Sequence, residues 1–281
     1  MPRGYVSTAL GQIHYVREGG GRPLLLLGAS GRSSRMFVPL MARMAPHVDV
    51  VAPDTPGFGE SDPLPPDTTI PALAAAFVEL LDALGIARAD VYGMHTGNKV
   101  ATALAVGWPD RVGRIVLVGQ SHSLIPDRAR RNAAILDIVR ETVEPRSGET
   151  AALADWAAAW GRLTAIWWDR RLVAGGATAA DREAARLLAL DELQSGGSAG
   201  LYGANFAYDL GADFPRIRAP TLVLEVATPE EDRTIGRQGP AVRALIPGAV
   251  LETLHEPEGH TLTLENRADD VAAILTRWLG E

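Results

Sequence analysis

The chain has 281 residues, no cysteine and a formal net charge of −7, with 27 basic against 34 acidic residues. That length buries one large α/β core or two modal domains, and the missing cysteines exclude disulfides, thiolate metal sites and cysteine nucleophiles. The acidic balance without a basic run argues against nucleic acid and anionic membranes as partners, and no apolar run reaches the ~20 residues of a membrane span.

Taken in chain order, Gly11–Val16 alternates apolar and polar residues like a half-buried strand. Leu24–Leu27 is continuously apolar, as a strand covered on both faces requires. Met36–Met44 reads as a helix and Val48–Ala52 as a strand, ended by the turn-rich run Pro53-Asp54-Thr55-Pro56-Gly57-Phe58-Gly59. Ile70–Leu84 has helical spacing, with Gly85 at the C-cap position. Val91-Tyr92 is a strand, Lys99–Val106 a helix and Ile115–Val118 another buried strand. Alternating strands and helices predict βαβ crossovers and a mostly parallel sheet.

From about Ser121 to Arg218 only helical patterns occur, including Arg128–Val143, Ala151–Trp168 and Ala180–Gln194. The αβ rhythm resumes at Thr221–Val226, Ile235–Ile246, Val250–Leu254 and Val271–Leu279. The predicted organisation is therefore an α/β core, residues 1–120 and 219–281, with a helical lid (cap) inserted at 121–218. Such an insertion covers the carboxyl edge of the sheet, where open α/β sheets bind ligands. Trp156, Trp160, Trp167 and Trp168 lie in it and are candidate substrate-binding residues, as is Ser121 at the pocket edge; helix packing and a polar surface loop are the plainer alternatives.

The decisive segment is Gly93-Met94-His95-Thr96-Gly97, between the strand ending at Tyr92 and the following helix. Small residues two before and two after a central residue are what a sharp strand–turn–helix elbow requires. With it go Leu24–Ser30, the run Asp54-Thr55-Pro56-Gly57-Phe58-Gly59-Glu60-Ser61-Asp62, and Gly259-His260 before a terminal amphipathic helix. On these four motifs the chain resembles the α/β-hydrolase superfamily, most closely its lidded branch of epoxide hydrolases, haloalkane dehalogenases, proline iminopeptidases and C–C hydrolases. The resemblance implies an α/β-hydrolase fold with a mostly parallel eight-stranded sheet, an oxyanion-hole strand and loop at Leu24–Ser30, and a catalytic-histidine loop at His260. It also marks departures. The family places Ser, Asp or Cys at the elbow, where this chain has His95. Gly28-Ala29-Ser30 stands where the family usually has His-Gly, and the acids Glu230, Glu231 and Asp232 come slightly late for the triad acid.

What the resemblance implies for the site is a set centred on His95 and His260, with Asp232, or else Glu231, orienting His260, and the amides of Ser30 and Thr96 as oxyanion donors. Three readings of His95 stay open: a neutral nucleophile forming an acyl-imidazole, a general acid or base, or an inert member of a pocket that only binds. A metal held by two histidines and a carboxylate, with His122 as a further candidate, is the rival. No ligand pair has helical metal spacing, so no metal and no cofactor is expected. Asp54 and Asp62 read as structural supports of the Pro-Gly loop, and Lys99, one helical turn after His95, as facing a carboxylate or, the plainer reading, as a snorkelling side chain. His14, His47 and His255 read as ordinary strand or loop residues.

The expected activity is cofactor-independent hydrolysis of a small to medium, apolar ester, lactone or related carbonyl compound. A lyase, cyclase or decarboxylase using His95 as general acid or base is the alternative enzyme, and a non-catalytic small-molecule binding protein the alternative to an enzyme. The Met1-Pro2-Arg3-Gly4 start has no apolar segment of the secretory kind. Of the 27 basic residues only Lys99 is lysine, a bias of GC-rich coding that points to a bacterial source. The expectation is a cytoplasmic protein, monomer or homodimer, acting on a small molecule.

Overall fold

The computed structural model describes residues 1–119, 124–125, 127–143, 199–227, 236–255 and 267–280. Eight strands form one sheet: β1 (Arg3–Thr8), β2 (Gly11–Glu18), β3 (Pro23–Leu27), β4 (Asp49–Pro53), β5 (Ala89–Met94), β6 (Val112–Val118), β7 (Thr221–Ala227) and β8 (Val250–His255). Their order is β1-β2-β4-β3-β5-β6-β7-β8. The β1–β2 and β2–β4 pairs are antiparallel and the other five are parallel. The β1 strand, half-exposed at the sheet edge, carries too few apolar residues to announce itself in the sequence.

Parity along the strands sorts the core into two layers. Leu25 and Leu27 of β3, Val91 of β5, Ile115 and Leu117 of β6 and Val223 of β7 face one side. There they meet α2 (Ile70–Ala83) through Leu73, Phe77 and Leu81, and α3 (Thr96–Gly107) through Val100 and Leu104. Leu24, Leu26, Tyr92, Val116, Val118, Leu222 and Leu224 face the other side, against Leu40, Met41 and Met44 and against Val271 and Leu275. Those residues belong to α1 (Val38–Met44) and α8 (Ala268–Gly280). Burial on both faces explains why β3 reads as an unbroken apolar run.

Helix boundaries follow local chemistry. The Thr69 hydroxyl accepts from the Ala72 amide at 3.3 Å to open α2, and Gly85, at φ +70°, follows its end. A 3-10 turn, Ser34–Phe37, precedes α1, with Ser33 as its N-cap, so the predicted Met36–Met44 helix divides in two. Between β6 and β7 lie α4 (Arg128–Val143), α5 (Ala199–Ala207) and α6 (Leu210–Asp213), with no strand among the described residues there. Leu201, Leu210, Phe214 and Ile217 join the same apolar layer as α2 and α3, so this end of the segment packs on the core. The α7 helix (Gly239–Leu245) links β7 to β8. No described helix is long and apolar enough to cross a membrane.

Two features aim the sheet at one place. The chain runs from β3 out to β4 and returns on the other side of β3 as β5, so the topological switch point lies between β3 and β5. The loops leaving these two strands carry Ser30 and His95. The second feature is Asp54, only 1% exposed. Its carboxylate accepts from the Ser34 amide at 2.6 Å, the Glu60 amide at 2.8 Å and His14 Nδ1 at 2.8 Å. Asp54 thereby ties the loop after β3 to the loop after β4, while Asp62 accepts from the Gln12 amide at 2.8 Å. Both aspartates support the Pro-Gly loop, as expected. His14 is the buried partner of Asp54, a contact the sequence did not announce. Asp54→Ala leaves two amides and a histidine without their acceptor and is expected to cost roughly 3–5 kcal/mol in urea unfolding. A loss below about 1 kcal/mol would remove its clamping role.

Candidate active site

Gly93 and Gly97 let strand and helix meet at the elbow. A Cβ on Gly93 would strike the Gly97 carbonyl and lie 2.8 Å from Ala101 Cβ, and one on Gly97 would strike the Leu27 carbonyl. The Gly97 amide instead donates to the Gly28 carbonyl at 2.9 Å, stitching the first turn of α3 onto the end of β3. Between the two glycines His95 takes φ +49°, ψ −103°, a conformation an L-residue holds only when its surroundings impose it. Its amide donates to the Val118 carbonyl at 3.1 Å and its carbonyl accepts from the Asn98 amide at 3.1 Å.

The half-buried imidazole lies over Gly119, at φ +63°, where an added Cβ would sit 2.8 Å from Cε1 and 2.9 Å from Nδ1. Enclosure by protein lowers the His95 pKa to about 4, and the positive charges of Lys99, Arg131 and Arg32 act in the same direction. His95 is therefore neutral at pH 7.

Beside it the structure brings Ser30 and Thr96 together. The Thr96 hydroxyl accepts from the Ser30 amide at 3.1 Å, and the two hydroxyls lie 2.5 Å apart. Asn205 of α5 donates to Thr96 Oγ1 at 2.6 Å and reaches Ser30 Oγ at 3.4 Å. An asparagine in a helical segment gave no signal of this role in the sequence. Lys99, one turn along α3, does not snorkel: it is 6% exposed, with Nζ 5.8 Å from the centre of the Phe206 ring. Burial and Arg131 lower its pKa to about 8.

On the far side, Glu225 of β7 accepts from the Gly239 amide at 2.7 Å and pairs with Arg237. Burial pushes its pKa up, but these partners outweigh that and hold it below the usual carboxylate value. His260, Asp232, Glu230, Glu231, Ser121, His122, Trp156, Trp160, Trp167 and Trp168 lie outside the described residues.

The His95 shift has a defined sign. Between its unfolded value near 6.5 and about 4, the unfolded chain binds a proton there that the native state does not. The contribution to stability is thus full above pH 6.5 and falls as the pH drops toward 4. In a histidine NMR titration the signal removed by His95→Ala should have its midpoint near pH 4; a midpoint of 6–7 would contradict the enclosed, cation-flanked environment.

Relatives place this geometry in context. A 2-hydroxy-6-oxo-6-phenylhexa-2,4-dienoate hydrolase of Comamonas testosteroni is 33% identical over 112 residues, covering 38% of this chain and 39% of that one. The chain thus matches less than half the length of that relative. Among solved structures, a hydrolase of Pseudomonas aeruginosa PA01 has a TM-score of 0.78 at 24% identity, over 99% of this chain and 98% of that one. The enol-lactonase of Burkholderia xenovorans LB400 has a TM-score of 0.68 at 24% identity, over 99% and 100%. Residues 24–274 match the Alpha/beta hydrolase family, so sheet, switch point and elbow agree with the sequence pattern: the chain belongs to that family.

Proposed function

We propose that this chain is a cofactor-independent hydrolase of a small to medium, apolar ester, lactone or related carbonyl compound, with neutral His95 as its nucleophile. The observation that carries the reading is the elbow itself: a strained φ of +49° at a residue whose imidazole is kept deprotonated at neutral pH. A group with a pKa near 4 is a weak general base at pH 7, since proton transfer is most effective from groups titrating near the working pH. Its lone pair is nonetheless free to attack without prior loss of a proton.

In this reading a His95 ring nitrogen adds to the carbonyl carbon. The developing oxyanion is received by the amides of Thr96 and Ser30, the carbonyl oxygen replacing the Thr96 hydroxyl at the Ser30 amide while Asn205 retains that hydroxyl. His260, entering the cycle as the imidazolium oriented by Asp232, gives its proton to the leaving group and then takes one from the water that cleaves the acyl-imidazolium, which restores its own charge and neutral His95. Residues 121–218 act as a lid over this pocket, with Ser121 and the tryptophans Trp156, Trp160, Trp167 and Trp168 contributing to substrate binding. The names of the dienoate hydrolase and the enol-lactonase support carbonyl substrates of this kind. We place the enzyme in the bacterial cytoplasm, as a monomer or homodimer.

A second reading, a lyase or decarboxylase, draws on the positive charges around His95, which would also stabilise a developing enolate. A screen of esters, lactones and carbonyl compounds separates the two. Wild type should hydrolyse members of the first two classes, and His95→Ala should lose at least about 10³-fold in kcat/KM. His95→Ser, which restores a hydroxyl of the kind the family usually places at the elbow, should retain or gain activity on activated aryl esters. Full retention of turnover in His95→Ala would eliminate a catalytic role for the residue.

A further inference from the structure

Lys99 is the chain's single lysine, and it is spent in the interior at 6% exposure, four residues after His95 on α3. Among the described residues its ammonium has no carboxylate and no hydrogen-bond acceptor; its neighbour is the Phe206 ring, at 5.8 Å. A buried ammonium without a counter-ion is costly. Lys99 shares a face of α3 with Thr96, since both meet α5, Thr96 through Asn205 and Lys99 through Phe206. The charges acting on His95 come from three segments: Lys99 on α3, Arg131 on α4 and Arg32 in the loop after β3. All three are positive, and Arg131 acts on Lys99 as well.

We propose that Lys99 anchors a carboxylate subsite beside His95, in the positive field to which Arg131 and Arg32 contribute, so that the substrate carries an anionic group in addition to its reacting carbonyl. The proposal rests on the reading of His95 as the reacting group, and it narrows that reading from apolar carbonyl compounds to those with an acidic end. A bound substrate carboxylate supplies Lys99 with the counter-charge that no described residue offers, through a charge-assisted hydrogen bond in a water-poor site. It also orients the chain of atoms between carboxylate and carbonyl, which fixes the carbonyl against the elbow.

Two esters test this. Mono-p-nitrophenyl glutarate and p-nitrophenyl pentanoate share leaving group and chain length and differ in the terminal carboxylate. Wild type should prefer the anionic ester by at least about tenfold in kcat/KM. Lys99→Met should remove most of that preference, Lys99→Arg should keep a part, and Arg131→Gln should lower it several-fold. Calorimetric titration with glutarate should show binding to wild type, weakened at least tenfold in Lys99→Met. Equal kcat/KM for the two esters in wild type, or glutarate affinity unchanged in Lys99→Met, would overturn the subsite. Should Lys99→Met fail to melt cooperatively, Arg131→Gln, partly exposed on α4, carries the comparison, and an unchanged preference there would count against the proposal. If wild type cleaves neither ester, the hydrolase reading fails separately. The glutarate titration then decides the subsite alone, absence of binding to wild type refuting it.

Discussion

The geometry at the carboxyl edge of the sheet depends on the backbone of one residue. His95 is held at a positive φ because strand β5 must turn directly into α3 while the first turn of that helix rests on the end of β3. Gly93 and Gly97 permit that approach; side chains at either would collide with the neighbouring main chain. Strain of this kind costs on the order of 1–3 kcal/mol and persists only where its surroundings over-determine it. Here the surroundings are the Gly97–Gly28 and His95–Val118 hydrogen bonds, made to the two strands that flank β5.

Consequences spread outward from that turn. The β3–β5 switch point makes the loop holding Ser30 the neighbour of the elbow, and Asp54 fixes that loop from behind through Ser34. Asn205 then closes the cluster from α5, bonding the same Thr96 hydroxyl that receives the Ser30 amide. Electrostatics complete the picture, since burial and three cations keep the imidazole neutral. A neutral imidazole beside positive charge is a poor proton acceptor and a fitting neighbour for an anion.

Much of this was legible in the sequence because it rests on rules with a short reach. Continuous apolar runs marked β3 and β6, helical spacing marked α2, and α4 runs over the predicted Arg128–Val143. The two glycines around His95 were readable because sterics at an elbow leave little choice. What stayed hidden was long-range. His14 meets Asp54 across 40 residues and Asn205 meets Thr96 across 109, and neither has a local signature. Lys99 was misjudged for a related reason: position on a helix says which face a side chain takes, not whether a later helix will cover it. Here α5 brings Phe206 over it.

The central claim is that His95 reacts with the carbonyl carbon. Rapid mixing of wild type with p-nitrophenyl acetate, quenched in the first turnover and mapped by peptide mass spectrometry, tests it most directly. The account predicts a burst of p-nitrophenol and an acetyl group on the peptide containing His95, both absent in His95→Ala. A linear onset with no adduct at His95, while wild type turns over the same ester at full rate, would contradict it.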